Sequence, residues 1–155
     1  MNDLATKIIS SFLFAAITSG QWSSDPATPQ SLGSGIHAQV AATSDGGVYI
    51  AWLTDGNYHI YVQRLNAVGE VQLGESGMLM SDQPNASWFA VYHLNLAVDG
   101  DDNAVITTVD ERTGIWEVYA WKIAPDGSKL WGEDGVAFTS SGVINMSPRL
   151  AVLPD

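Results

Sequence analysis

The chain has no cysteine, only six basic residues and no long apolar run. Without cysteine it can form neither a disulfide nor a thiolate metal site. Its 17 acidic residues bring the net charge to −11, and its Lys and Arg residues are scattered. Nucleic acids and anionic membranes bind clustered positive charge, so we predict neither as a partner. The apolar run at residues 8–17 is shorter than the ~20 residues of a spanning helix, so we also predict no membrane span.

The N-terminal segment has the pattern of a secretory signal peptide. Lys7 precedes the apolar residues 8–17, and the small residues 18–20 follow them. We therefore predict a signal peptide over residues 1–20 and a secreted, periplasmic or cell-surface location. An amphipathic helix or an edge strand of the folded domain is the alternative. The absence of disulfides favours a bacterial source over a eukaryotic extracellular one. Residues 21–35, rich in Ser, Pro and Gly, are predicted to form a linker or extended arm.

The rest of the chain repeats itself at a nearly constant interval. The stretch VAATSDGGVYIAW, which begins at Val40, has a counterpart in LAVDGDDNAVITT, which begins at Leu96. The stretch that begins at Ile60 is matched by the one that begins at Val118, and a further match to the Leu96 segment begins at Leu150. Such a repeat, built from short strands, is typical of radial or stacked β arrays. The predicted units are residues 36–92, residues 93–146 and, as the first strand of a third unit, residues 147–155.

Each full unit contains four short apolar segments separated by turn residues. They are HAQVAA, VYIAW, HIYVQRL and MLMS in the first unit, and LNLAV, AVITTV, EVYAWKI and VAFT in the second. Asp, Asn and Gly in the turns supply the positive φ that tight hairpins need. Segments of five to seven residues between such turns predict antiparallel strands, so the fold class is all-β with four-stranded sheets. The segment VYIAW is apolar on both of its faces, as expected of a sheet that lies between two other layers.

The two units contain several short motifs. They are Ala97-Val98-Asp99-Gly100, Asn103, Trp52, Tyr61-Val62-Gln63-Arg64-Leu65, Asp126-Gly127, Leu130-Trp131-Gly132 and Gly135-Val136. Together with the repeat, these motifs resemble a β-propeller repeat of secreted and surface proteins of bacteria, and the resemblance covers residues 37–155. It implies blade-like sheets in an incomplete β-propeller, because closed propellers have about four to eight blades. Further blades or other copies of the chain are the partners that it implies.

Aromatic residues in loop-like segments are the candidate ligand site, because ligands are usually bound by loops and flat rings stack on sugars. They are Trp88, Phe89, Tyr92 and Trp116. A carbohydrate or a protein is the expected ligand. The strand tryptophans Trp52, Trp121 and Trp131 are instead predicted to belong to the core.

Calcium is a weaker alternative at the first turn of the second unit. Asp99, Asp101 and Asn103 have the spacing of the first three ligands of a calcium loop, and Asp110 stands at its twelfth position. Ala104 replaces the glycine of such a loop, and an aspartate replaces the closing glutamate. A simple hairpin turn therefore explains the segment better, and we predict no metal site.

The predicted function is a non-enzymatic scaffold or binding module. The three histidines have no metal-binding spacing, and the chain has neither a G-x-S-x-G motif nor a glycine-rich phosphate loop, so we predict no cofactor. A lectin assembled from two-blade chains and a fragment of a propeller hydrolase are the alternatives. A sialidase-type hydrolase needs several arginines that converge on one carboxylate from the central channel of the propeller. The first strand of each unit would line that channel. Only Arg149 lies on a first strand, so the chain does not meet this requirement.

Overall fold

The computed structural model describes residues 25–27, 29–83, 94–139 and 142–153, and these residues contain eight β-strands. Over these ranges the chain forms no helix, and so none that could cross a membrane. The strands are β1 (Ile36–Ala42), β2 (Val48–Leu53), β3 (Ile60–Leu65), β4 (Met78–Ser81), β5 (Asn95–Val98), β6 (Ala104–Asp110), β7 (Glu117–Ile123) and β8 (Val136–Ala137). The all-β prediction is confirmed.

The strands form two four-stranded sheets, each an antiparallel meander. Sheet A has the order β1-β2-β3-β4 and sheet B the order β5-β6-β7-β8. This arrangement confirms the predicted four-stranded antiparallel sheets. The segment VAFT was expected to form the last strand of sheet B, but β8 contains only its first two residues. The ladder ends early because the Val118 amide donates to the side-chain Oγ1 of Thr139 (2.9 Å) instead of a backbone carbonyl.

Turns at matching positions in the two sheets are closed by the same backbone hydrogen bonds. The first hairpin of sheet A is closed by Thr43 N donating to Gly47 O at 3.0 Å. In sheet B, Asp99 N donates to Asn103 O at the same distance. After the third strand, Gly69 and Gly127 each donate to the carbonyl three residues earlier (2.9 Å). Positions of sheet A and sheet B that the sequence repeat aligns are therefore called counterparts below.

Each sheet has two distinct faces, because successive side chains of a strand point to opposite sides. We define the front face of sheet A as the one that carries Ala51 and Val62, which are cross-strand partners. Its back face carries Ile50 and Tyr61. The front face of sheet B carries the counterparts Thr107 and Ala120, and its back face carries Ile106 and Trp121, which are also cross-strand partners.

The core lies between the front face of sheet A and the back face of sheet B. Sheet A contributes one set of side chains to this buried cluster: Tyr49, Ala51, Leu53, Ile60, Val62 and Met80. Sheet B contributes another: Ala104, Ile106, Tyr119, Trp121 and Ile123. The two sheets thus meet through non-equivalent faces. Burial of this apolar surface is the main source of stability, at ~25 cal/mol per Å² removed from water.

Polar contacts at the edges of the stack join the same two sheets. The backbone N and the Oγ of Ser44, in the first turn of sheet A, both donate to the Asp102 carboxylate at 2.6 Å. Lys129 Nζ donates to the Met80 carbonyl (3.4 Å) at another edge. A Cβ at Gly127 would lie 3.1 Å from the Leu73 side chain, so the glycine allows this close approach.

The arm and the C-terminal segment lie beside the sheets. Gly33 and Gly35 of the arm lie against Trp52, since a Cβ there would be 2.6 Å and 2.2 Å from the Trp52 ring. Gln30 Nε2 of the arm donates to the Gly69 carbonyl (3.0 Å). The predicted first strand of a third unit is described as far as residue 153, and it has no β-ladder there. The predicted signal peptide lies outside the described residues.

Candidate functional site

The predicted aromatic ligand site is only partly described. Trp88, Phe89 and Tyr92 lie outside the described residues, so that site stays a prediction. Trp116 is half-buried just before β7, where its backbone carbonyl accepts a hydrogen bond from Asn145 N (2.8 Å). Two of the three predicted core tryptophans, Trp52 and Trp121, are buried. Trp131 is half-buried and contacts Phe138, with 6.3 Å between the ring centroids.

The four calcium candidates do not come together. Asp99 lies at the start of the β5–β6 turn, whereas Asp110 ends β6, which places the two about 20 Å apart at ~3.3 Å per strand residue. The weak calcium alternative therefore has the wrong geometry, because residues 104–110 of the predicted loop form the extended strand β6. In the part of the chain that the structure describes, no group of three His, Asp or Glu residues could hold a metal ion.

Asp99 organises its own turn instead. Its carboxylate accepts hydrogen bonds from the backbone N of Asp101 (3.0 Å) and of Asn103 (2.9 Å), and it forms an ion pair with Lys122 Nζ (2.6 Å). Partial burial alone would raise the pKa of Asp99. The hydrogen bonds from Lys122 and Asn103 outweigh that effect and lower the pKa to about 2. This turn contains a stabilised carboxylate anion, not an acid ready to give up a proton.

We expect Asp99 to make the stability of the fold pH-dependent. Its pKa is lower in the folded chain than the usual aspartate value of 3.8, so its contribution is present above pH ~4 and is lost as the pH falls towards 2. Asp99→Asn should lower the free energy of unfolding by about 1 kcal/mol at pH 6, after allowance for solvent screening, and by much less at pH 2. Urea unfolding of both proteins at the two pH values measures this. An equal difference at both values would contradict the ionic role.

Sheet A contains a similar ion pair at its first turn. Asp45 pairs with Arg64 on β3, the counterpart of Lys122 on β7. Hydrogen bonds from Thr43 Oγ1 (2.5 Å) and from the Gly47 amide hold the pKa of Asp45 below its usual range. In both sheets, therefore, a turn carboxylate is tied to a cation on the third strand. This arrangement stabilises the turn.

A second polar cluster, at the far end of the β6–β7 hairpin, was missed from the sequence. Asp110 and Glu117 are cross-strand partners and both are buried. Arg112 binds the Asp110 carboxylate with Nε (3.0 Å to each oxygen) and Nη2 (2.6 Å), and its Nη1 donates to the Asp134 carbonyl (2.8 Å). Its guanidinium lies 3.7 Å from the centroid of the Tyr119 ring. The sequence did contain a signal for this cluster, since Asp110 and Glu117 flank the β6–β7 loop and Arg112 lies within it.

The contacts of this cluster favour a structural role over a catalytic one. The Asp110 carboxylate is bound by the arginine fork. Glu117 accepts hydrogen bonds from Thr113 Oγ1 (2.8 Å) and the Tyr119 hydroxyl (3.4 Å). A general acid or base needs a carboxyl group that can reach a substrate proton. Both carboxylates are buried and already hydrogen-bonded within the hairpin, so the cluster stabilises the β6–β7 turn of sheet B.

Apolar side chains are exposed at both ends of the two-sheet stack. On the back face of sheet A, Val40 is exposed opposite the half-buried Ile50. In sheet B, Val136 and Phe138 are exposed at and just after β8, with Leu130 in the preceding turn, whereas Val105, Thr107, Val109 and Ala120 on its front face are buried. The back face of sheet A also has a shallow cleft of about 170 Å³ beside the arm. Its lining is Leu32, Gly33, Gly35, Ala38, Ile50 and Trp52. In the ranges that the structure describes, these exposed apolar side chains are surface features that a partner could bind.

No family model, curated protein or solved structure matches the chain.

Proposed function

We propose that the protein is a non-enzymatic β-propeller repeat module that acts as a secreted or cell-surface scaffold or binding domain. The observation that carries this proposal is the packing of the front face of sheet A on the back face of sheet B. A contact between equivalent faces would close on itself. A contact between non-equivalent faces leaves one face of each kind at the ends of the stack, which is the arrangement of a repeat array.

The polar groups support the non-enzymatic part of the proposal. In the described ranges, the buried acidic side chains Asp110 and Glu117 are bonded within their own hairpin. The ion pairs of Asp45 and Asp99 hold turns in place. Polar groups that stabilise turns and hairpin ends suit a rigid scaffold, whose function lies in the surfaces it presents.

A chain with one more unit tests the proposal. We would join a second copy of residues 94–153 after residue 153 of the full chain. If the sheets are repeat modules, the added unit folds as a further sheet and unfolds together with the others. The urea m-value should then rise by roughly half, because m scales with the surface that unfolding exposes.

The control is the same extension with its added residues in scrambled order, which should leave the m-value unchanged. An added unit that stays unfolded and is removed by mild proteolysis would contradict the proposal. It would mean that the two sheets form a self-contained β-sandwich, whose outer faces cannot accept another sheet.

A further inference from the structure

Five aspartates in the chain are each followed directly by a glycine. Such a pair can rearrange without an enzyme, because glycine has no side chain to shield its backbone nitrogen from the preceding carboxyl group. The two groups that react are the aspartate carboxyl group and the glycine N–H. The pairs are Asp45-Gly46, Asp55-Gly56, Asp99-Gly100, Asp126-Gly127 and Asp134-Gly135.

Hydrogen-bond donors hold the carboxylate in three of the pairs. Asp45 and Asp99 each pair with a cation on the third strand of their own sheet, and the pKa of each lies below its usual range. The Ser128 backbone N donates to the Asp126 carboxylate at 2.9 Å, and this bond lowers the pKa of Asp126. A carboxylate held in its charged form must lose these bonds and gain a proton before it can react.

The glycine N–H is bonded in three of the pairs. Gly46, Gly127 and Gly135 each donate to the carbonyl three residues earlier, at 3.2 Å, 2.9 Å and 3.3 Å. Gly135 is also wedged against the β7 backbone, since a Cβ there would lie 2.5 Å from the Ala120 carbonyl oxygen. The peptide that follows Asp134 therefore cannot turn towards the carboxyl group unless β7 moves.

The pair Asp55-Gly56 has neither form of protection. Both residues are exposed in the turn between β2 and β3. Within the described ranges, neither the Asp55 carboxylate nor the Gly56 N–H takes part in a hydrogen bond or an ion pair. Gly56 has φ +89°, and no atom lies within 4 Å of the position that its Cβ would occupy. Both reacting groups are therefore free, and the backbone has room to turn.

We propose that Asp55 is a site of spontaneous isomerisation to isoaspartate. The Gly56 nitrogen attacks Cγ of the protonated Asp55 carboxyl group, a C–N bond forms, and one water leaves to give a five-membered succinimide. Water then adds to the backbone carbonyl carbon of Asp55, and the bond from that carbon to the Gly56 nitrogen breaks. One water leaves and one returns, so the step needs no oxidant and no other reactant.

The product lengthens the main chain by one carbon inside the β2–β3 turn. That turn is closed by Thr54 N donating to His59 O (2.9 Å) and by Tyr58 N donating to Thr54 O (3.2 Å). Thr54 also lines a cleft of about 220 Å³ with Trp52 and Tyr61. The modification therefore changes a turn and the surface beside it, and it leaves the core in place. The inference does not depend on the proposed function.

Incubation of the folded full chain in ¹⁸O-labelled water tests the five pairs together. Each succinimide that reopens takes up one heavy oxygen, whether it returns to aspartate or becomes isoaspartate. Tandem mass spectrometry of peptides prepared in ordinary water then locates the label. We expect at least about ten times more label at Asp55 than at any of the other four aspartates, because a hydrogen bond to a charged group slows a reaction that must break it by that factor.

Two controls separate the effect of the fold from that of the local sequence. In guanidinium chloride the unfolded chain should label all five pairs at similar rates. Gly56→Ala places a methyl group beside the attacking nitrogen and should lower the label at Asp55 several-fold, while the other four sites stay unchanged. Its Cβ meets no atom within 4 Å, and circular dichroism establishes that the variant is folded. Methylation of the incubated native chain by an isoaspartyl methyltransferase detects the product itself.

Three results would overturn the inference. The first is equal labelling of all five pairs in the folded chain, or stronger labelling at a pair other than Asp55-Gly56. The second is a preference for Asp55 that persists unchanged in guanidinium chloride, since the local sequence and not the fold would then be its cause. The third is label at Asp55 without methylation, because the succinimide would then reopen to aspartate alone.

Discussion

Replacing Gly135 with alanine should lower the free energy of unfolding by about 3 kcal/mol. Gly135 has φ +67°, and a Cβ there would lie 2.5 Å from the Ala120 carbonyl oxygen and 2.7 Å from Trp121 Nε1. The left-handed backbone costs a non-glycine residue ~1–2 kcal/mol. Crowding of a packed interior adds ~1–3 kcal/mol. Neither neighbour can move easily, because Ala120 belongs to the β7 backbone and Trp121 fills the core.

Gly132→Ala is the matched control. Gly132 also has a positive φ (+83°), but no atom lies within 4 Å of the position of its Cβ. It should lose only about 1 kcal/mol, the conformational part of the effect. Urea unfolding of the full chain measures both variants. Equal losses would show that the contact between Gly135 and Trp121 is not as described.

The corresponding pair in sheet A should behave in the same way. A Cβ at Gly77 would lie 2.6 Å from the Trp52 ring and 2.9 Å from the Val62 carbonyl oxygen, whereas at Gly74 it would meet no atom within 4 Å. Trp52 stands on the second strand of its sheet and Trp121 on the third strand of its own. The two sheets thus reach the same packing, a tryptophan beneath a glycine, from different strands.

Loss of the Arg112 guanidinium should be nearly as damaging. Arg112→Met leaves the Asp110 carboxylate, whose side chain is 2% exposed, without its cation. Breaking a buried ion pair by removing one partner costs ~3–5 kcal/mol, because an uncompensated charge remains in the interior. Arg112 is itself partly exposed, so we expect a loss of about 3 kcal/mol in urea unfolding. The free energy of unfolding of Arg112→Lys should lie between those of the native chain and Arg112→Met, since a single ammonium group cannot replace the two-nitrogen contact of the guanidinium.

Two further variants determine whether charge is the cause. In the double variant Asp110→Asn, Arg112→Met no buried charge is left, so part of the stability should return. Arg149→Met alters an exposed arginine and should change the stability by less than about 0.5 kcal/mol. If the double variant is no more stable than Arg112→Met, the packing of the guanidinium on Tyr119 is the dominant contribution, and the ion-pair explanation fails.

The strands and their order within each sheet were predictable because their signals are local. Short β-branched and aromatic segments between Asp, Asn and Gly turns predicted antiparallel hairpins, and seven of the eight strands lie within one residue of their predicted bounds. Only β8 is clearly shorter, because the side chain of Thr139 takes over the bond to the Val118 amide. A side-chain competitor of this kind leaves no signal in a pattern of apolar and polar residues.

The polar sites were much less predictable. The spacing of Asp99 and Asp110 is that of a calcium loop only if the chain between them curls, and β6 extends it instead. The role of Arg112 depends on the hairpin bringing Asp110 and Glu117 opposite each other. Trp131 was expected in the core and is only half-buried, because it lies in the turn before β8.

The sequence by itself determined that this protein is built from four-stranded antiparallel sheets and where each sheet turns. Those features depend on the conformations of neighbouring residues and on the alternation of side chains along a strand. Only the tertiary structure decided which faces meet. Strands such as β2 are apolar on both sides, so either face could enter a core, and the choice depends on long-range packing. That packing joins the front face of sheet A to the back face of sheet B and leaves Val40 and Phe138 exposed.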